Sequence, residues 1–171
     1  MKGTIYVFFC RTPKNSRWWN RLWGWLVRPF HAYPAEHLVI GHDGLVVDPL
    51  YSGNHLWQLH GFVRRYPIHS CITVTPTPFR ISLRAFDCEK QKKNRLFPVL
   101  YWLTGLARFQ TDDCLGVAIQ CLQAAGLKLP KRFRTIGGLY RWLRNEGYAC
   151  QKFATPDRWV GTAIERPDRS A

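Results

Sequence analysis

Short runs of β-branched and aromatic residues in the first half of the chain predict strands. Residues 4–10 (TIYVFFC) and residues 70–76 (SCITVTP) each predict one strand. Residues 37–40 and 45–48 predict two more, joined by a turn whose Asp-Gly pair is a strong hairpin signal. His42 falls in that predicted turn, where we expect it to be exposed to solvent.

Capping residues and glycines mark two helices in the second half of the chain. Asp112 or Asp113 can cap a helix that runs through residue 125 and is closed by Gly126. Thr135 can cap another helix over residues 136–145. Strands and crossover helices do not alternate along the chain, so the pattern predicts an α+β fold with an antiparallel sheet packed against helices.

Two segments allow more than one interpretation. Residues 57–66 fit either a short helix or a loop. Residues 16–30 predict a Trp-rich helix in which Trp18 and Leu22 fall near one face and several arginines supply charge. This helix could meet a membrane or a partner at its surface, or it could be a core helix with a wide apolar face.

The composition is that of a globular protein, since 46% of the 171 residues are apolar and 21% are charged. We expect one domain over residues 1–153 and a polar C-terminal tail over residues 154–171. The formal net charge of +14 favours an anionic partner, such as nucleic acid, an anionic membrane surface or a cell-wall polymer. Two basic runs, at residues 90–95 and 128–134, are the candidate contacts to phosphates.

Neither a signal peptide nor a transmembrane segment is predicted. The apolar stretch at residues 5–10 is too short for a signal peptide, and no run reaches the ~18 apolar residues of a membrane span. We therefore expect a cytoplasmic or virion-associated protein, and small basic proteins of this kind are familiar from bacteriophages. The six cysteines include no CxxC pair, which favours free thiols over a zinc site or a disulfide framework. No cofactor is expected.

Cys114 is the candidate nucleophile. It stands in the first turn of a predicted helix, within the sequence TDDCLGVAIQCLQAAG. The free N–H groups and the dipole of a helix N-terminus stabilise a thiolate, and Gly116 lets a substrate approach the backbone closely. Cys121 falls in the middle of the same helix, where we expect it in the core. A cysteine at a helix start can also be a buried, unreactive thiol.

A thiol nucleophile needs a base and a group that orients the base, and the predicted hairpin offers both. His37 opens the first strand of the hairpin, and Asp48 ends the second. A register symmetric about Asp43 places the two side chains close to directly opposed on one face of the sheet. His37 could instead be structural, and His55 or His60 could take the place of Asp48.

Two segments together resemble the circularly permuted papain-like family, which includes the permuted NlpC-type peptidases and the relatives of lecithin–retinol acyltransferase. They are EHLVIGHDGLVVDPL at residues 36–50 and DDCLGVAIQCLQAAGLKLP at residues 112–130. In that family the catalytic histidine opens a strand, a polar residue lies on the next strand, and the cysteine follows much later at a helix start. The resemblance covers most of residues 4–148 and implies a papain-like fold with Cys114, His37 and Asp48 as the catalytic triad.

The activity that this resemblance implies is that of a cysteine hydrolase, either a peptidase or amidase, or of an acyltransferase. Its substrate would be a peptide, peptidoglycan or another acyl compound. The alternative is a catalytically inactive, basic binding protein of the same fold that contacts nucleic acid or a membrane surface. The sequence does not indicate an oligomeric state.

Overall fold

The computed structural model describes residues 3–11, 18, 22, 35, 37–50, 53–77, 81–86, 114–130, 133 and 135–152. The predicted tail at 154–171, the basic run at 90–95 and most of the predicted Trp-rich helix lie outside these residues. The described strands and helices are β1 Gly3–Cys10, β2 His37–His42, β3 Leu45–Leu50, β4 Gly53–Gln58, α1 Leu59–Arg65, β5 Ile68–Thr77, a 3-10 turn at Leu83–Phe86, α2 Cys114–Ala124, α3 Ile136–Asn145 and β6 Ala149–Lys152.

The described strands form one antiparallel sheet in the order β4-β3-β2-β1-β5-β6. The predicted α+β class is confirmed, and the sheet has two more strands than the pattern predicted. Both additional strands lie at sheet edges. β4 carries polar residues and glycine, while β6 is short and largely exposed, so neither has the apolar run that identifies a buried strand.

The turn of the β2–β3 hairpin is shorter than predicted. Asp43 (φ 48°) and Gly44 (φ 76°) both adopt the left-handed conformation that a two-residue type I′ turn requires. The ladder therefore extends to His42, which lies opposite Leu45. The expectation that His42 is exposed is wrong: it is 2% exposed, and its Nδ1 donates to the carbonyl oxygen of Thr4 at 2.6 Å.

Both predicted helices of the second half are confirmed over the described residues: α3 has the predicted bounds, and α2 ends at Ala124, one residue earlier than predicted. The Oγ1 atom of Thr135 caps α3 by accepting from the N–H of Gly138 at 3.0 Å. Gly126 (φ 86°) closes α2, where its N–H and that of Leu127 bond back to the last turn. No helix among the described residues has the length and apolar character needed to cross a bilayer.

The two faces of the sheet bury separate apolar clusters, because successive residues of a strand point to opposite sides. One cluster lies under α2 and α3 and includes Phe9 and Leu38. The other lies under α1 and includes Phe8, Cys10 and Phe62. Helix α2 packs against β2 and β3, which are the strands that carry His37 and Asp48. The N-terminus of α2 is thereby held close to the hairpin.

Candidate active site

His37 and Asp48 form a short hydrogen bond across the hairpin. Nε2 of His37 lies 2.6 Å from Oδ1 of Asp48, and the Asp48 side chain is completely buried while that of His37 is 18% exposed. The β2–β3 register pairs Ile40 with Val47, so its continuation sets Asp48 opposite Val39. The two side chains share a face, as expected, but they are diagonal neighbours because the turn is centred between Asp43 and Gly44.

Asp48 depends on this bond. Its second carboxylate oxygen, Oδ2, is buried and has no hydrogen-bond partner among the described residues. Burying a carboxylate with so few partners destabilises the folded state unless a neighbouring group carries the opposite charge. The geometry therefore favours a protonated, positively charged His37. His55 lies directly across from Asp48 on β4, but Asp48 is the residue that holds His37.

Cys114 is the first residue of α2, and its thiol lies beside the His37 side chain and raises the pKa of that imidazole. The thiol is partly exposed, which leaves room for a substrate to reach it. Since Nε2 of His37 is engaged with Asp48, Nδ1 is the ring nitrogen left for the sulfur. The structure thus brings all three predicted site residues together, with one imidazole between a carboxylate and a thiol.

Burial lowers the pKa of His37, but the interactions with Asp48 and Cys114 raise it by a larger amount. The resulting pKa is about 10, compared with an ordinary value of 6.5. His37 is therefore protonated at neutral pH. A protonated imidazole and a helix N-terminus both favour the ionised form of a neighbouring thiol. The arrangement places a positive charge beside the Cys114 thiol.

The other described thiols are less accessible than Cys114 or lie away from His37. Burial raises the pKa of Cys10 well above its ordinary value, and the charge of Asp48 adds to the effect. Burial likewise raises the pKa of Cys71 and of Cys121 to about 12. Cys150 is partly exposed, and its Sγ lies 3.5 Å from Oη of Tyr140. All five described cysteines are free thiols.

An aromatic stack beside His37 was not foreseen from the sequence. The ring centroid of Tyr66 lies 6.2 Å from that of His37, and Phe62 stacks on Tyr66 at 4.8 Å. Tyr66 immediately follows α1, in a segment whose pattern fitted either a helix or a loop. Its contact with His37 depends on where α1 packs on the sheet, and local sequence carries no signal for that placement.

The structure describes one basic residue of the two predicted basic runs. In the run at 128–134, Lys128 is exposed, while the other basic residues of both runs lie outside the described part of the chain. Within the described residues, no group of three or more histidine, cysteine or carboxylate side chains could hold a metal ion.

No family model matches this chain, and neither does any curated protein or any solved structure. Conclusions about function therefore rest on the residues and on the geometry of the site.

Proposed function

We propose that this protein is a cysteine hydrolase or acyltransferase with a permuted papain-like fold. Cys114 is the nucleophile, His37 is the general base and acid, and Asp48 orients the imidazole. The observation that carries the proposal is that the imidazole of His37 lies between the buried Asp48 carboxylate, which it hydrogen-bonds at 2.6 Å, and the Cys114 thiol. The chain order, with the histidine on a strand well before the cysteine at a helix start, supports the resemblance to the permuted family.

In the first half of the reaction, the Cys114 thiolate attacks the carbonyl carbon of an ester or amide. The new C–S bond leaves a negative charge on the carbonyl oxygen. The backbone N–H of Cys114 has no partner within the helix and can donate to that oxygen. His37 then gives its proton to the leaving alcohol or amine as the C–O or C–N bond breaks, and a thioester remains on Cys114.

In the second half, an acceptor hydroxyl or amine attacks the thioester while His37 takes the proton of the acceptor. The C–S bond breaks and the Cys114 thiolate is restored. Hydrolysis results when the acceptor is water, and acyl transfer results when it is another alcohol or an amine. Asp48 keeps its hydrogen bond to Nε2 throughout and balances the charge of the imidazolium.

The test is turnover of a panel of ester, amide and peptide substrates, including peptidoglycan fragments, with and without an added amine or alcohol acceptor. Cys114→Ala should abolish turnover without unfolding the protein. Cys121→Ala is the matched control, because it removes a sulfur from the same helix and should leave turnover unchanged. Turnover that survives Cys114→Ala, or is lost equally in both variants, contradicts the proposal.

A second candidate function is peripheral attachment to an anionic membrane. Trp18 and Leu22 are both helical, and they are 61% and 39% exposed. They lie four residues apart in the sequence, which is the spacing of neighbours on a helix face, and the adjoining sequence contains Arg17 and Arg21. Exposed aromatic and aliphatic side chains beside arginines are typical of helices that lie in a lipid interface.

Flotation with phosphatidylserine-containing liposomes tests this second candidate. The wild-type protein should float, and a Trp18→Ser/Leu22→Ser variant should not. Flotation of the double variant with the same lipids, or equal flotation of the wild type with neutral phosphatidylcholine liposomes, contradicts attachment through this face.

A further inference from the structure

Tyr66 stands against the imidazole of His37. The two ring centroids are 6.2 Å apart, and the ring planes meet at 32°. That separation is within the range of aromatic pairs that contribute to stability, and it is slightly longer than the ~6 Å of a usual cation–π contact. Asp48 forms a hydrogen bond with the side chain of His37 and the Cys114 thiol lies beside it, whereas Tyr66 approaches His37 through a contact between the two rings.

The position of Tyr66 is fixed from two directions. Its backbone N–H donates to the carbonyl oxygen of Phe62 at 3.0 Å, which ties it to the last turn of α1. Its ring stacks on that of Phe62, with centroids 4.8 Å apart and planes at 20°. Phe62 is completely buried and packs against Phe8 of β1. Because Tyr66 is fixed in this way, its ring can restrict the orientation of the neighbouring His37 imidazole.

The groups that face His37 in the described structure come from four other elements. Cys10 lies opposite it on β1, Asp48 comes from β3, Cys114 from α2, and Tyr66 from the end of α1. Burial disfavours the charged imidazolium, and the interactions with Asp48 and Cys114 favour it. The electron-rich face of a tyrosine ring also favours a neighbouring cation.

We propose that Tyr66 is a positioning residue for His37, whose ring fixes the plane of the imidazole and stabilises its protonated form. For catalysis this rests on the proposed function, in which the His37 imidazolium is the counter-ion of the Cys114 thiolate. The contact itself is a property of the folded protein and can be measured without any substrate.

The test is an NMR titration of the His37 imidazole in a series of proteins that differ only in the electron density of the ring at position 66. Tyr66→Phe keeps the ring and removes the hydroxyl. Replacement of that phenylalanine by its mono-, di- and pentafluoro derivatives then withdraws electrons stepwise with little change of shape, so folding is preserved.

The His37 pKa should be close to wild type in Tyr66→Phe. It should then fall stepwise with fluorination, by a total of about half a unit to one unit, as a partly exposed cation–π contact implies. The same fluorinated residues at position 6 are the control. Tyr6 packs against the same apolar cluster but is paired with Gly41, four residues along β1 from the partner of His37.

A His37 pKa that does not respond to fluorination at position 66, or that responds equally at position 6, overturns the proposal. In the supporting case, the pH profile of turnover should move with the pKa of His37 across the same series. If the titration is graded but no variant turns over any acyl substrate, the proposed enzymatic function fails while the role of Tyr66 stands. If the protein turns over acyl substrates but the His37 pKa does not change with fluorination, the role of Tyr66 fails while the proposed enzymatic function stands.

Discussion

The imidazole of His37 and the carboxylate of Asp48 meet at 2.6 Å, although they are eleven residues apart in sequence. The intervening Asp-Gly turn uses only two residues, so the strands on either side pair in a register that puts both side chains on one face. A register shift of one residue between the two strands would point one of these side chains to the opposite face of the sheet. The local chemistry of the turn therefore determines whether the pair can form.

Asp48→Asn tests the charge of this pair with almost no change in volume. The amide can keep a hydrogen bond to Nε2 but cannot balance an imidazolium, so the His37 pKa should fall from about 10 towards its ordinary range. We expect kcat/KM to fall by roughly a hundredfold to ten-thousandfold, as when similar triads lose this charge. Steady-state kinetics and NMR titration of His37 check both effects, and unchanged kinetics would remove Asp48 from the triad.

His37 should also make the stability of the protein depend on pH. Its folded-state pKa is about 10 and its ordinary value is 6.5, so the folded state binds the proton more tightly. The resulting stabilisation is fully present below pH 6.5 and is lost as the pH rises through about 10. Urea unfolding of wild type and His37→Gln across this range should show the largest difference at the acidic end.

The control for that experiment is His60→Gln, since His60 is exposed on α1. Its difference from wild type should be small at every pH. A His37→Gln difference that grows with rising pH would mean that the imidazole is not held in its charged form.

The hairpin was predictable because its determinants are local. Asp43 and Gly44 favour a two-residue turn, and the apolar residues on both sides favour strands, so His37 and Asp48 could be assigned to one face from sequence alone. The predicted turn was two residues too long at its start. This error assigned His42 to an exposed turn, whereas in the structure His42 pairs with Leu45 and is buried.

The features that the sequence did not reveal are set by tertiary packing. β6 covers the edge of β5, and its four residues alone give too short a signal. The contact of Tyr66 with His37 joins the end of α1 to the start of β2, and it exists only when α1 lies on that face of the sheet. The closeness of Cys114 to His37 likewise needs α2 to pack on β2, and no local pattern in the sequence fixes that packing.

Two glycines give opposite predictions for stability. A Cβ added at Gly41 in β2 would lie 2.8 Å from Cε2 of Phe8, so Gly41→Ala should lower the free energy of unfolding by about 1–3 kcal/mol. Gly61 lies inside α1 with no described atom within 4 Å of the added Cβ. Gly61→Ala should stabilise by roughly 0.5–1 kcal/mol through helix propensity. Urea denaturation checks both, and a stabilising Gly41→Ala would contradict the packing of Phe8 on β2.

The thiols should differ in their reaction with iodoacetamide at neutral pH. Cys114 is partly exposed beside His37, whereas burial raises the pKa of Cys10, Cys71 and Cys121. Peptide mapping after brief treatment should find Cys114 modified while these three are spared. Modification of Cys121 ahead of Cys114 would contradict the structure of α2.

Cys121→Ala and Cys114→Ala should also separate stability from chemistry. Cys121 is completely buried in the core, so its truncation should lower the free energy of unfolding by about 1 kcal/mol. Cys114 is partly exposed at a helix start, and its truncation should change stability less. Thermal midpoints of the two variants beside the wild type check this order, and a larger loss for Cys114→Ala would indicate a structural thiol.

The rate at which an activated ester acylates Cys114 is the most direct test of its role as the nucleophile. Rapid quench and mass spectrometry measure this rate in wild type and His37→Gln. We expect a transient thioester on Cys114 in the wild type, and acylation that is at least about a hundredfold slower in His37→Gln. Acyl groups spread evenly over the thiols and lysines, or a Cys114 acylation rate unaffected by His37→Gln, would contradict it.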